Sequence, residues 1–161
     1  MPITELTQLC AQLPPGKRLM GIDHSKKAWG LAVSTPDLGM ATPLSVITAA
    51  KFSDGVAQLA DLCREYKAGG FVIGLPLNMD DSEGPRAQSV RHFADNLIAA
   101  KDKLGFEPVI AFFDERLSTA AVEDFLQEHK VPPHKRAAAI DKLAARMILQ
   151  GALDALVRMQ A

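Results

Sequence analysis

The spacing of the apolar runs is what most restricts the fold. Three runs come early and close together: Arg18-Leu-Met-Gly-Ile-Asp23, Ala28-Trp-Gly-Leu-Ala-Val-Ser34, and Pro43 to Thr48 with Leu44, Val46 and Ile47 as its apolar residues. Connections this short favour hairpins, so these runs predict an antiparallel meander. After Thr48 the rhythm changes. Phe52 to Tyr66 repeats Val56, Leu59, Ala60 and Cys63 at helical steps, Gly69-Gly70 predicts its end, and Phe71-Val-Ile-Gly-Leu75 predicts a buried strand. Pro85 to Leu104 predicts one long helix, with Pro85 in the first turn and Val90, Phe93, Leu97 and Ile98 facing a core. Pro108 to Phe113 predicts the last strand. Ser118 is placed to cap a helix through about Gln127, and a final helix runs from about His134 to Met159. Weak helical spacing from Thr4 to Leu13 stops at Pro14-Pro15-Gly16. A meander followed by β-α-β-α is an α/β pattern. It predicts a mixed five-stranded sheet, antiparallel in its first three strands and parallel through the last two, flanked by helices. No repeat or linker divides the chain, so residues 1–161 are expected to form one domain.

Composition sets further bounds. With 161 residues, 48% hydrophobic and 23% charged, the chain is globular and long enough to bury a core without staples. Cys10 and Cys63 are distant and form no C-x-x-C pair, which points to a reducing compartment and away from a zinc ribbon. His129 and His134 are separated by Pro132-Pro133, which denies them a shared helical face. Met1 to Leu13 has neither the basic start nor the apolar centre of a secretory leader. No apolar run approaches the roughly 20 residues that span a bilayer. The expectation is a cytoplasmic protein with no membrane partner. A net charge of -1 means that any affinity for nucleic acid must come from local patches.

The acids stand where a packed sheet should resist them. Leu19-Met-Gly-Ile22 ends abruptly in Asp23, and Val109-Ile-Ala-Phe-Phe113 ends in Asp114-Glu115. If these two strands lie side by side and parallel, both ends emerge at the edge where open α/β sheets bind ligands. Alternation along a strand sends Asp114 and Glu115 to opposite faces, so one of them joins a site there. A third acid, Asp141, shares a helical stripe with Ala145 and Ile148, near Ala144 and Ala152. Small residues on that stripe let the helix approach the sheet and carry Asp141 towards the strand ends. A few carboxylates on rigid elements suit Mg2+ or Mn2+, which prefer oxygen ligands. Asp23, Glu115 and Asp141 are therefore the expected metal ligands and catalytic residues of metal-assisted phosphodiester hydrolysis. Set against this, Asp23 can simply end a strand and cap a turn, Arg116 can pair with Asp114 or Glu115, and Asp141 can face solvent.

At these same residues the sequence resembles the YqgF-type nucleases, also called Holliday junction resolvase-like proteins. The matching stretches are Gly21-Ile-Asp23 with Gly30-Leu-Ala-Val-Ser34, Val72-Ile-Gly-Leu-Pro-Leu-Asn-Met-Asp80 with Ser82-Glu83-Gly84, Asp114-Glu-Arg-Leu-Ser-Thr119, and Asp141-Lys-Leu-Ala-Ala145 with Ile148-Leu-Gln150. They follow the family's order across nearly the whole chain. The resemblance implies a ribonuclease H-like fold, an acidic site at Asp23, Glu115 and Asp141, and a cytoplasmic role in 5′-end maturation of the 16S ribosomal RNA precursor. The fold it implies is also that of four-way DNA junction resolvases. Two positions depart from the family pattern. Ser25 stands where the family usually has glycine, a residue that permits unusual backbone angles and close approach to phosphate, and Asp81 stands where it usually has another glycine.

Basic residues cluster near these acids. Lys26 and Lys27 follow the first strand, Arg86 and Arg91 begin the long helix, Arg116 adjoins Glu115, and Lys130, Lys135, Arg136, Lys142 and Arg146 gather around Asp141. Of these, Lys26, Lys27, Arg86, Arg116 and Lys142 are the expected phosphate contacts, although any single lysine on a helix is more often merely solvated. Trp29 and Phe113 are expected in the core, which leaves few aromatics for base stacking and favours recognition of shape and backbone. The expected partner is structured RNA, with branched DNA as the alternative, for a monomer or homodimer. Two rival functions remain. An actin-like ATPase shares the strand-and-hairpin opening but needs a second domain and further glycine loops, so no ATP binding at micromolar affinity is expected. A non-catalytic RNA- or ribosome-binding module of the same fold is the second rival, motivated by Ser25 and Asp81.

Overall fold

The computed structural model describes residues 3–78, 80, 82–114, 127–128, 130 and 132–160. Its elements run α1 (Leu6–Gln12), β1 (Arg18–His24), β2 (Trp29–Ser34), β3 (Ala41–Ile47), α2 (Phe52–Tyr66), β4 (Ala68–Leu75), α3 (Pro85–Ala99), α4 (Lys101–Leu104), β5 (Val109–Asp114) and α5 (Pro133–Gln160). The helix expected from Ser118 lies outside the described residues. The strands form one sheet in the order β3-β2-β1-β4-β5. β1-β2 and β2-β3 pair antiparallel, while β1-β4 and β4-β5 pair parallel, as the change of rhythm implies. One expectation is corrected: β1 and β5 do not touch along their length, because β4 pairs with both. β4 is buried along its whole length, which is what a central parallel strand of continuous apolar residues requires.

Alternation along each strand divides the apolar residues between two layers. One face carries Met20, Ile22, Trp29, Leu31, Phe71, Ile73 and Ile110 under α2 and α3. The other carries Leu19, Ala32, Val72 and Ala111 under α5, joined by Leu9 of α1. Each fully buried large side chain contributes roughly 1.5–3 kcal/mol. The one buried polar side chain among the described residues, Ser34, accepts a hydrogen bond from the Leu19 amide at 3.0 Å. At the outer edge of β5, Ile3 forms a parallel bridge to Ile110, and the Thr4 amide donates to the Ile110 carbonyl at 2.8 Å. That short bridge shields part of an otherwise open strand edge.

Two boundaries differ from the sequence expectation for a physical reason. α2 ends at Lys67, in the left-handed region at φ 57°, with its N–H on the Cys63 carbonyl. Gly69 and Gly70 do not stop the helix; they belong to β4. A Cβ at Gly69 would lie 2.9 Å from Lys17 Cβ, and one at Gly70 would lie 3.0 Å from the Val109 carbonyl oxygen. Gly69 is also the extra residue where the β1-β4 register slips, since Arg18 aligns with Ala68 and Leu19 with Gly70. The long helix expected over Pro85 to Leu104 breaks at Ala100, which leaves helical geometry at φ -92°, ψ 19°, and α4 ends at Gly105 with φ 88°. β3 begins earlier than expected, at Ala41. Its first amide donates to the Gln150 side chain of α5 at 2.8 Å.

α5 packs at backbone distance against two glycines. A Cβ at Gly21 would lie 2.7 Å from both the Ala145 carbonyl oxygen and Leu149 Cβ. One at Gly30 would collide with the Asp141 carbonyl group and lie 3.1 Å from the Asp141 Cα. Main chain cannot rotate aside as a side chain can. Gly30→Ala is therefore expected to sit at or beyond the upper end of the usual overpacking penalty, about 3 kcal/mol. Denaturant unfolding checks this; a loss under about 1 kcal/mol would mean that α5 is not held as described.

Candidate active site

α5 is laid across the end of β1 by its small residues. Ala145, Ile148, Leu149 and Ala152 are fully buried against the sheet. Ala144, expected on the same stripe, is buried instead with Ile140, Leu143 and Met147. The helix is further tied to the start of β3, where Arg146 Nε donates to the Ala41 carbonyl at 3.3 Å and the Gln150 amide donates to the Gly39 carbonyl at 3.3 Å. Arg146 thus holds the helix in place rather than standing free for phosphate.

This docking seats the backbone of one expected acid on the residue that pairs in register with another. Asp23 is the register partner of Gly30, and Gly21 of Ala32. Directly paired residues share a face, so Asp23 stands on the α5 side with Gly21 and Gly30. Asp141 rests its backbone on Gly30. Both acids are half-buried. Burial pushes the Asp141 carboxyl above its ordinary value, as desolvation of an acid does when its charge is not fully compensated. On β5, Val109, Ala111 and Phe113 belong to the α5 side, and Ile110 and Phe112 to the opposite one. Asp114 therefore falls on the face opposite Asp23. Glu115 and Arg116 lie outside the described residues. Among the described residues no three Asp, Glu, His or Cys side chains form a metal-sized cluster. Asp23 and Asp141 each carry hard oxygen donors of the kind that suit Mg2+ or Mn2+.

On the other side of the same strand end lies a cleft of about 550 Å3 between the β1-β2 turn and α3. It brings Lys26 and Arg86 together, two of the expected phosphate contacts. Lys27 is exposed on the same turn, and Lys142 adjoins Asp141 on α5. Arg91 is committed elsewhere: its guanidinium grips Glu83, with Nη2 2.8 Å from one carboxylate oxygen, and lies 4.9 Å above the Phe112 ring. Ser25 does not take a left-handed conformation. Its hydroxyl donates to the Ala28 carbonyl at 2.9 Å and accepts from the Ala28 amide at 3.1 Å, closing the turn. The serine thus substitutes for glycine without strain. Asp81, the second departure, lies outside the described residues.

Sequence reasoning missed His24. It ends β1 on the face opposite Asp23, pairs in register with Trp29, and stacks on Phe93 at 4.3 Å. Burial first, and then the Arg86 charge, push its imidazole down to about 4. The signal available in the sequence was its position, one residue past an acid on a strand whose Ile22 faces the core. In an unfolded chain the imidazole titrates near 6.5, so between that value and about 4 the unfolded state binds more protons. The metal-free protein is expected to lose stability as pH falls through this window, and His24→Phe, which keeps the ring packing, to flatten the loss. Thermal melts across that range check it; identical pH profiles for the two proteins would contradict it.

Cys10 and Cys63 are both free thiols, and burial pushes Cys63 up to about 12, which makes it unreactive. No helix among the described residues is long and apolar enough to cross a membrane.

With this geometry in hand, the relatives are informative. Residues 17–155 match the family described as RuvX, Holliday junction resolvase. A protein of Rhodospirillum centenum is 47% identical over 156 residues, covering 97% of this chain and 83% of the relative. One of Rhodopseudomonas palustris is 49% identical over 155 residues, covering 96% and 92%. Both carry the name "Putative pre-16S rRNA nuclease". Among solved structures, Thermus thermophilus RuvC bound to a Holliday junction superposes with a TM-score of 0.53 at 17% identity, covering 90% of this chain and 97% of that one. Fowlpox virus resolvase with its junction DNA gives 0.52 at 7% identity, covering 87% and 99%. These likenesses establish the ribonuclease H-like resolvase fold. The sequence match goes further: the chain belongs to the RuvX family.

Proposed function

We propose that the chain is a metal-dependent nuclease that hydrolyses phosphodiester bonds in the 5′-end maturation of the 16S ribosomal RNA precursor. The observation that carries this reading is the seating of Asp141 on Gly30, the residue paired with Asp23. Two acids from elements far apart in sequence are thereby carried on one face of a packed sheet, and a cation is the natural partner for half-buried carboxylates in such a place. The relatives that are nearly half identical along almost the whole chain carry the matching name.

In this reading Asp23 and Asp141 hold Mg2+ or Mn2+, with Glu115 as the third ligand on the strength of the family resemblance. Such ions, when bound, activate a water and stabilise the leaving oxygen of a phosphodiester. The protein's own part is placement. β1 is fixed between β2 and β4, so the Asp23 carboxylate is carried on a strand that cannot shift. α5 brings Asp141 to it and keeps its oxygens poorly solvated, which strengthens their hold on a cation. Lys142 on one side, and Lys26, Lys27 and Arg86 on the other, draw the backbone of the nucleic acid across the strand end. Arg116 is proposed to orient Glu115 or contact phosphate.

The test is cleavage of a 5′-extended 16S precursor beside a four-way DNA junction, each with magnesium, manganese or chelator. Asp23→Asn, Glu115→Gln and Asp141→Asn are each expected to lower cleavage by at least about 100-fold, some 2.7 kcal/mol of barrier, without loss of RNA binding. Cutting that persists in chelator, or in any of the three variants, would remove the metal mechanism. The family's description makes the junction the second substrate to try. Preferential cutting of the junction would keep the chemistry and replace the substrate.

A further inference from the structure

The cleft beside the acidic face is not explained by phosphate contact alone. Its walls are the β1-β2 turn and the first turns of α3, and its lining includes His24, Lys26, Arg86, Gln88, Val90 and His92. Among the described residues no acid contributes to that lining. At about 550 Å3 it lies within the range of pockets that enclose a small organic molecule, and it is larger than two cations gripping one phosphate require. It combines two kinds of surface. Lys26 and Arg86 bring positive charge, while the His24 ring and Val90 bring a flat aromatic and an apolar patch. Gln88 and His92 add polar groups along the α3 wall. A nucleotide has the same division, a charged phosphate joined to a flat base with polar edges.

Its position relative to the acids is fixed by the strand. Asp23 and His24 are consecutive, so their side chains leave the end of β1 on opposite faces. A strand of nucleic acid crossing that edge with a phosphate at Asp23 brings a neighbouring nucleotide to the cleft. The His24 ring is held for this by its stack on Phe93, which in turn packs edge-on against Trp29 at 4.8 Å. A ring anchored in a core makes a rigid platform, and a base that settles on it does not have to order a loose side chain first.

We infer that this cleft is a nucleotide subsite: it takes one unpaired nucleotide of the RNA next to the scissile bond, its base against His24 and Val90 and its phosphate on Lys26 and Arg86. The inference rests on the reading of the chain as an RNA nuclease and adds to it a requirement for a single-stranded residue at the cut. A fully paired duplex presents no free base to the platform. Recognition of stacked bases on aromatic side chains is how unpaired RNA is usually read.

The experiment uses the full-length Asp23→Asn protein in chelator, so that binding is read without cleavage. Short single-stranded oligoribonucleotides with an abasic residue at each position in turn are titrated by fluorescence anisotropy. One position is expected to lose about tenfold in affinity when its base is removed, in line with the loss of one stacked base, while other positions change little. Lys26→Gln and Arg86→Gln should each flatten the dependence of log K on log salt by about 0.7, the signature of one phosphate contact on a single strand. Ser89→Phe, which fills the cleft from α3, should abolish the abasic effect while its melting temperature stays unchanged. Equal affinity at every abasic position, or unchanged salt slopes in both variants, overturns the subsite. The outcome is separate from the nuclease test: wild-type cleavage with no abasic effect removes only the subsite, and an abasic effect without cleavage removes only the catalysis.

Discussion

Everything about the site depends on one contact, the main chain of α5 resting on Gly21 and Gly30. Helices normally stand off a sheet by the depth of the side chains between them. Here two neighbouring strands present hydrogen atoms where side chains would be, and the helix sinks to backbone contact at Ala145 and Asp141. The effect is positional accuracy. A carboxylate on a helix that floats on side chains can wander, whereas one whose own carbonyl sits against a strand is fixed relative to that strand. Asp23 is in register with the glycine that makes this possible, so the acid and the helix bearing its partner are located by the same pair of residues.

The end of β1 gains a division of labour from the simplest property of a strand. Asp23 points to the side of α5 and His24 to the side of α3. Burial acts on both sides. On the α5 side burial holds the Asp141 carboxyl above its ordinary value, and on the α3 side burial and then the Arg86 charge hold the His24 imidazole down, so each group's own charge is disfavoured. An acid-bearing face and a cleft with Lys26 and Arg86 thus flank one strand terminus, the two surfaces that the proposed function assigns to metal and to phosphate. Arg91 and Arg146, which are as basic as their neighbours, take no part in this because Glu83 and the Ala41 carbonyl already claim them.

Much of this was legible before any coordinates. The meander, the parallel pair, the span of α2 and the apolar stripe of α5 all follow from spacing, because burial on a sheet or helix face leaves a period in the sequence. What periodicity does not encode is order across the sheet. Asp23 and Asp114 end similar strands, but only pairing reveals that β4 separates them and that Asp114 faces away. Glycines are ambiguous in a sequence for a related reason. Gly69 and Gly70 look like a helix stop, and the role they play, admitting Lys17 and the Val109 carbonyl, is a contact between segments distant in the chain. Lys67 takes the left-handed turn at a cost of about 1–2 kcal/mol that nothing local announces. His24 escaped notice because one histidine on a strand has no pattern; its meaning comes from Phe93, Trp29 and Arg86, none of which is near it in both sequence and period.

The aromatic cluster on the α2–α3 side includes the chain's single tryptophan, Trp29. Its indole packs where a Cβ at Gly55 would lie only 2.6 Å away, so it is wedged between the sheet and α2. Emission from that ring is governed by the layer formed by α2 and α3, whereas α5 covers the opposite face. Ultraviolet fluorescence of the unlabelled molecule therefore follows one side of the sheet, the layer that carries the cleft, whereas far-ultraviolet dichroism sums both sides, with 15 residues each from α2 and α3 and 28 from α5.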